Sequence, residues 1–212
     1  MMATIMSRRA PVRGLTLGTL ALTLGTLALT LGAAAAQEPE PEEAQAEVAA
    51  PAGPRERLDE LFASLAGAEP REAPRIQARI AEIWSASGSD SMDFLLRRGR
   101  DAMDEEAYDK AVEHLTALVT LAPDFAEGWN ARATAHYQRE EYWLAVADIE
   151  QTLAREPRHF GALSGLGVIL ERTGDEAGAL RALRAALAVN PHLPSAREAV
   201  ERLAPNVDGR DI

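Results

Sequence analysis

Three consecutive segments of 34 residues make up positions 92–193 of this 212-residue chain. They are MDFLLRRGRDAMDEEAYDKAVEHLTALVTLAPDF (92–125), AEGWNARATAHYQREEYWLAVADIEQTLAREPRH (126–159) and FGALSGLGVILERTGDEAGALRALRAALAVNPHL (160–193). Positions four and twenty-four of each segment are large and apolar, positions eight and twenty are small, and position thirty-two is proline. The residues are Leu95, Trp129 and Leu163 at position four; Leu115, Ile149 and Leu183 at position twenty-four; Gly99, Ala133 and Gly167 at position eight; Ala111, Ala145 and Ala179 at position twenty; and Pro123, Pro157 and Pro191 at position thirty-two.

Each segment contains two apolar patterns of helical period on either side of a short polar break, which predicts a helical hairpin. Small residues at positions eight and twenty allow the two helices to approach closely, and the apolar residues at four and twenty-four fill the space beside them. The proline ends the second helix, because it lacks an N–H and restricts the residue before it. One hairpin cannot bury its apolar face alone, so we expect an all-α stack of hairpins that share a core.

The pattern of these five positions resembles the tetratricopeptide-repeat (TPR) family across residues 92–191. The resemblance implies a right-handed TPR helical solenoid with repeats at 92–125, 126–159 and 160–193. Three other positions depart from the family pattern, which makes the chain a divergent member. These are position seven (Arg98, Arg132, Leu166), position eleven (Ala102, His136, Leu170) and position twenty-seven (Leu118, Thr152, Ala186).

Helical patterns also flank the repeats on both sides. Residues 55–66 and 74–86 predict an N-terminal helical hairpin within 55–88, which lacks the repeat signature and is either a cap on the first repeat or a degenerate fourth repeat. Residues 194–205 predict a C-terminal capping helix. A capping box from Ser195 to Glu198 is expected to open it, and Pro205 to close it.

The N-terminal region has the features of an export signal. Three arginines precede an uncharged apolar run at 15–32, and the small residues that follow predict a signal peptide over 1–36, cleaved before Gln37. The alternative is an uncleaved inner-membrane anchor at 15–32, a run of about the minimum length that spans a bilayer. Residues 37–54 are rich in Pro, Glu and Ala and predict a disordered acidic linker. We therefore expect a periplasmic or secreted protein with no membrane insertion after cleavage.

Composition and spacing argue against catalysis. The net charge of −11 excludes a general nucleic-acid binder, and the absence of cysteine excludes thiolate metal sites and thiol nucleophiles. No two histidines have the close spacing of a helical metal site. His136 is expected to be a packed structural residue, whereas His159 and His192, in the turns after the prolines, are expected to be exposed. The segment around Ser164 lacks the glycines of a nucleophile elbow. We predict no enzyme activity, no cofactor and no metal.

The family resemblance implies a concave groove, lined by the first helices of the repeats, that binds a protein or peptide. It places these partner-binding residues in the groove: Arg100, Asn130, Thr134, Tyr137, Gln138, Ser164 and Arg172. The basic clamp by which some family members hold chaperone termini is absent, because Leu96, Gly161 and Gly165 stand at clamp positions. The repeat pattern does not account for Gly161 and Gly165. The sequence thus predicts an exported interaction scaffold; the alternative is a self-associating structural or assembly subunit of a cell-envelope complex.

Overall fold

A computed structural model of the chain describes residues 53–210, so the predicted signal peptide and nearly all of the predicted linker lie outside the described residues. The described part is helical and contains no β-strand, which confirms the predicted all-α class. No helix in this part is both long enough and apolar enough to cross a bilayer. The helices are α1 (Pro54–Ala66), α2 (Ala73–Trp84), α3 (Asp90–Asp104), α4 (Tyr108–Leu121), α5 (Ala126–Gln138), α6 (Tyr142–Arg155), α7 (Phe160–Arg172), α8 (Glu176–Val189) and α9 (Pro194–Val207), followed by a short 3-10 helix (Asp208–Arg210).

The pairs α3–α4, α5–α6 and α7–α8 follow the repeat in the sequence. Their second helices α4, α6 and α8 each end two residues before the repeat proline. The turn inside each pair places position fifteen in the left-handed region, at Glu106 (φ 57°), Glu140 (φ 60°) and Gly174 (φ 89°). Only the third repeat has glycine there, so the first two repeats hold a glutamate in a conformation that side chains disfavour.

Close approach of the two helices in a pair depends on position eight. A Cβ atom added to Gly99 would lie 2.5 Å from Leu115 Cγ, and one added to Gly167 would lie 2.5 Å from Leu183 Cγ. Atoms cannot pack at such distances, so the absent side chain is what admits the leucine at position twenty-four. The predicted close approach at position eight is therefore confirmed in the first and third repeats, and the structure adds that the leucine at position twenty-four packs directly against it.

Neighbouring hairpins share their cores. Leu118 of α4 packs in one cluster with Ala131 and Ala135 of α5. In the same way, Ile149 of α6 packs with Ile169 of α7. The stack therefore buries apolar surface that a single hairpin would leave exposed.

The C-terminal helix α9 packs on α8 and begins at Pro194 as predicted, but its predicted capping box and its predicted end are wrong. The Ser195 side chain makes no capping bond; Leu193 is the N-cap and Pro194 is the first helical residue, a position where proline's missing N–H leaves no hydrogen bond unmade. Pro205 lies inside the helix, which continues to Val207. The reason is packing: Val207 contacts the apolar cluster that joins α8 and α9, so the last turn is held past the proline.

The N-terminal hairpin α1–α2 neither caps the first repeat nor continues the stack. Its core, formed around Phe62 and Ile80, packs against Phe160 and Val189 of the third repeat. The outer face of α3 exposes one large apolar side chain, Phe94, which is 54% exposed, and is otherwise more polar. Its positions six and ten, which are small or apolar in the next two repeats, are the exposed residues Arg97 and Asp101.

Two glycines of α7 separate the requirements of packing from those of helix propensity. Gly167→Ala is expected to destabilise the fold by about 1–3 kcal/mol, because its Cβ would overlap Leu183. Gly165→Ala is expected to stabilise it by up to about 1 kcal/mol, because alanine favours the helix and the nearest atom to its Cβ, Ile149 Cδ1, is 3.8 Å away. Urea denaturation of the two variants measures both effects. Equal free energies of unfolding would contradict the packing role of position eight.

Candidate functional site

The first helices of the three repeats form a groove, and α2 lies along one edge of it. Three adjoining cavities of about 210, 240 and 420 Å³ follow this groove. The first lies between α5 and α7, the second between α3 and α5, and the third between α2 and the beginnings of α5 and α7. Asn130 lines all three, which makes it the centre of the groove.

The cavity between α5 and α7 owes its shape to two glycines one helical turn apart. A Cβ atom on Gly161 would meet only the His159 ring, at 3.4 Å, and one on Gly165 would meet only Ile149, at 3.8 Å. Both are ordinary or nearly ordinary contacts, so packing does not demand glycine at either position. The missing side chains leave a low wall beside Val168, whose side chain is 45% exposed.

The structure brings three of the predicted partner-binding residues together in this cavity. Asn130, Thr134 and Tyr137 lie on one face of α5 and line the space opposite the two glycines. The Thr134 hydroxyl donates to the Asn130 carbonyl oxygen at 3.1 Å, and the Tyr137 ring lies 5.8 Å from that of Tyr142. Arg100 lines the neighbouring cavity between α3 and α5.

The other three predicted residues do not line these cavities. Gln138 is exposed at the end of α5, and the Ser164 hydroxyl is buried without a hydrogen-bond partner. The Arg172 guanidinium lies over the Tyr142 ring at 5.5 Å and 3.5 Å from Glu140. Their roles in binding stay predictions.

A buried carboxylate connects the elements that form the groove. It was not among the predicted site residues. Glu127, at the start of α5, is 8% exposed. Its oxygens lie 2.5 Å from Arg100 Nη2, 2.9 Å from His159 Nε2 and 3.2 Å from Asn130 Nδ2. His159 Nδ1 accepts the backbone N–H of Ala162 at 3.0 Å. Nδ1 is therefore unprotonated, and the ring proton lies on Nε2 and is donated to Glu127.

Two opposing effects act on the pKa of Glu127. Burial raises the pKa, but the hydrogen bonds from His159 and Arg100 and the positive charge of Arg100 lower it by more, so the net pKa lies below the usual 4.5. Glu127 is accordingly ionised at neutral pH, with its charge compensated by neighbours inside the protein. This arrangement indicates a structural junction between α3, α5 and the turn before α7.

His159 is buried, not exposed as its place in a turn predicted. The residue is 3% exposed because the Trp84 ring stacks on its side chain, with centroids 4.2 Å apart and an interplanar angle of 13°. His192 is half-buried for a similar reason, since its Nε2 lies 3.2 Å from the Leu65 carbonyl oxygen. Both contacts come from the N-terminal hairpin, which no repeat pattern places over these turns.

The structure agrees with the prediction for His136. His136 is buried, as expected, and its Nδ1 lies 2.7 Å from Glu141 Oε2. Within residues 53–210, no three or more His, Asp or Glu side chains are grouped so that they could hold a metal ion.

The lowered pKa of Glu127 gives a prediction about pH. A carboxyl whose pKa is lower in the folded than in the unfolded protein stabilises the fold fully above the unfolded pKa, and that stabilisation is lost as pH falls through the folded value. We expect Glu127→Gln to cost about 1–3 kcal/mol at neutral pH and to lose less stability than wild type below about pH 4.5. Urea denaturation from neutral to acidic pH measures this. The exposed Glu150→Gln is the control, and equal losses in E127Q and wild type would contradict the assignment.

Comparison with known proteins gives a family match over the repeats and a relative that is similar over most of the chain. The family model described as tetratricopeptide repeat matches residues 96–148 and 131–194. A TPR repeat-containing protein of Rhizobium etli is 37% identical over 161 residues, a match that covers 76% of this chain and 79% of the relative.

Solved structures share the fold at low sequence identity. The Sgt2 TPR domain of Aspergillus fumigatus superposes with a TM-score of 0.54 at 22% identity, over 58% of this chain and 83% of that one. The first TPR of Spaghetti (RPAP3), bound to the HSP90 peptide SRMEEVD, gives 0.53 at 17% identity, over 55% and 93%. The predicted helical solenoid is thereby confirmed as the fold.

Proposed function

This chain belongs to the tetratricopeptide-repeat family, and from that premise we propose that it is an interaction scaffold whose groove holds an extended segment of another protein. The observation that carries the proposal is the cavity between α5 and α7. It is a mostly apolar space with an amide, a hydroxyl and a phenol along its α5 side, and such a mixture is typical of sites that bind organic ligands and peptides. The RPAP3 domain of the same fold is bound to a peptide, which supports the same use of this groove.

The chemistry of the cavity defines the segment it suits. The Asn130 carboxamide and the Tyr137 hydroxyl can donate to and accept from an extended backbone, whose N–H and C=O groups need partners. The space over Gly161 and Gly165 takes an apolar side chain. Glu127 is already paired at the groove centre, so a charged anchor finds no counter-ion there.

The absence of the chaperone clamp is a second reason to expect that the partner inserts an uncharged group into the groove. Leu96, which stands at one clamp position, is 2% exposed and belongs to the core between α3 and α5. Two further clamp positions are Gly161 and Gly165. The groove therefore lacks the cations at these positions that hold a terminal carboxylate.

A binding role also fits the state of the ionisable groups better than a catalytic one. Glu127 and His159 are the buried acid and base nearest the groove, and both are engaged in hydrogen bonds that hold helices together. Neither is left available to take or give a proton to a substrate.

Two groove variants test the proposal. The full mature chain is used to capture partners from envelope fractions, and the affinity of the captured partner is then measured. We expect Asn130→Ala and Tyr137→Ala each to weaken binding about tenfold, as central interface residues do. Glu150→Ala, an exposed change on α6, is the control. Unchanged affinity in both groove variants would show that the partner binds elsewhere.

The second candidate is a self-associating assembly subunit. It is favoured by Trp143 on α6, which is 75% exposed, an uncommon exposure for so large an apolar side chain. Sedimentation of the purified chain over a range of concentrations distinguishes the candidates. A concentration-dependent oligomer that Trp143→Ala dissociates supports the subunit, whereas a monomer supports the scaffold.

Export is part of the proposal and rests on the N-terminal sequence. We expect the mature protein to begin at Gln37 and to fractionate with the periplasm or the medium. Intact-mass measurement of the protein from each cell fraction tests this. An uncleaved chain in the membrane fraction would instead support an anchor at residues 15–32.

A further inference from the structure

The α1–α2 hairpin lies over the part of the groove where α5 and α7 begin. Residues of α2 share one cavity with Glu127, Asn130 and Gly161. Asn130 and Gly161 also line the cavity between α5 and α7. α2 therefore forms the opposite wall of the space that an extended segment enters as it runs along the groove past Asn130 and Gly161.

The hairpin is held in this place by an aromatic contact. The Trp84 ring stacks on His159 and lies 5.1 Å from the ring of Phe160. Phe62 of α1 completes the cluster, at 5.9 Å from Trp84 and beneath the Arg158 guanidinium at 4.4 Å. All of the array residues in this contact come from the turn between α6 and α7 and the first residue of α7.

Polar contacts hold the hairpin at two further points. Gln77 Nε2 donates to Asn190 Oδ1 at 3.3 Å and to the His192 carbonyl oxygen at 3.2 Å. On the exposed rim, Arg158 pairs with Asp59 of α1 at 2.7 Å. These contacts tie the hairpin to residues at the ends of α6 and α8 and in the turns that follow them.

The interface leaves hydrogen-bond donors unsatisfied. Within the described residues, the Trp84 indole N–H and the Asn190 side-chain nitrogen Nδ2 are buried at or beside this contact without hydrogen-bond partners. Docking removes each of these donors from water without giving it a hydrogen-bond partner, which destabilises the docked state. A cavity of about 420 Å³ also remains between α2 and the array. The unsatisfied donors and the cavity both weaken the docking of the hairpin on the array.

We propose that the α1–α2 hairpin is an autoinhibitory cover, which docks over the groove and must leave it before an extended protein segment binds past Asn130. The inference rests on the proposed function of the groove. The connection to α3, Ser85–Ser89, contains Gly88 at φ 81° and is tied to α3 by Asp93, which accepts from the Ser87 N–H and hydroxyl. The cover thus moves about a short segment whose far end is fixed.

Docking is tested first, without any ligand. The described hydrogen bonds of the Gln77 side chain go only to the array, so Gln77→Ala weakens docking and leaves the hairpin's own core intact. Helices as short as α1 and α2 are marginal alone, so undocking exposes their amides to exchange. We expect amide exchange in α1 and α2 to rise about tenfold in Q77A, with α3 to α9 unchanged. Arg75→Ala, an exposed change on α2, is the control.

Binding is tested with a phage-displayed random-peptide library as the probe. Peptides are selected on the full-chain Q77A protein and kept if adding Asn130→Ala or Tyr137→Ala to that protein weakens their binding. We expect them to bind Q77A about tenfold more tightly than wild type, because the apparent affinity scales with the open fraction. The chain has no cysteine, so Asp59→Cys with Arg158→Cys gives a protein that a bifunctional maleimide closes specifically. Binding is expected before crosslinking and lost after it.

The outcomes separate the two proposals. Equal affinity of Q77A, wild type and the crosslinked protein, or tighter binding after crosslinking, would overturn the cover and leave the groove as a binding site. The cover would also be overturned if exchange in α1 and α2 did not rise in Q77A. If no selected peptide depends on Asn130 or Tyr137, the proposed function fails and the cover fails with it.

Discussion

The contact between position eight and position twenty-four of each repeat is the constraint on which the rest of the structure depends. Gly99 and Gly167 have no side chain where Leu115 and Leu183 pack, and even one methyl group there would overlap the leucine. Because the paired helices approach so closely, each hairpin is thin and its apolar residues face the next hairpin. Stacking then places α3, α5 and α7 side by side, which creates the groove between them.

Glycines in this chain serve two different purposes that only their neighbours reveal. Gly167 is needed by the fold, since its missing Cβ admits a core leucine. Gly161 and Gly165, on the same helix, are not needed by packing and open the groove wall instead. The contrast explains how one helix can be tightly packed on its core face and recessed on its groove face. The recess is therefore a property of the surface, and the fold does not depend on it.

The buried Glu127–His159 pair connects the groove to the N-terminal hairpin. Glu127 holds α3 and α5 together through Arg100, and His159 caps α7 through its Nδ1. Trp84 then stacks on the other side of His159. The hairpin therefore rests on the group that organises the groove, so its docking and the groove's shape share residues. This sharing is why the proposed cover and the proposed binding site occupy the same place.

The sequence by itself determined the helical repeats, the helix ends before each proline, the divergent TPR assignment and the location of Asn130, Thr134 and Tyr137 on one helix face. These follow from local rules, because helical period, proline geometry and close packing within a hairpin act between residues near in the chain. Only the tertiary structure decided that α1–α2 docks on the third repeat, that His159 is buried, and that α9 passes through Pro205. Each depends on contacts between distant residues, such as Trp84 with His159, or on a packing contact like that of Val207, which holds the helix beyond a residue that would otherwise end it. The apolar face of the hairpin was visible in the sequence, but its partner was not, because the choice between α3 and the third repeat depends on which of two distant surfaces offers apolar residues.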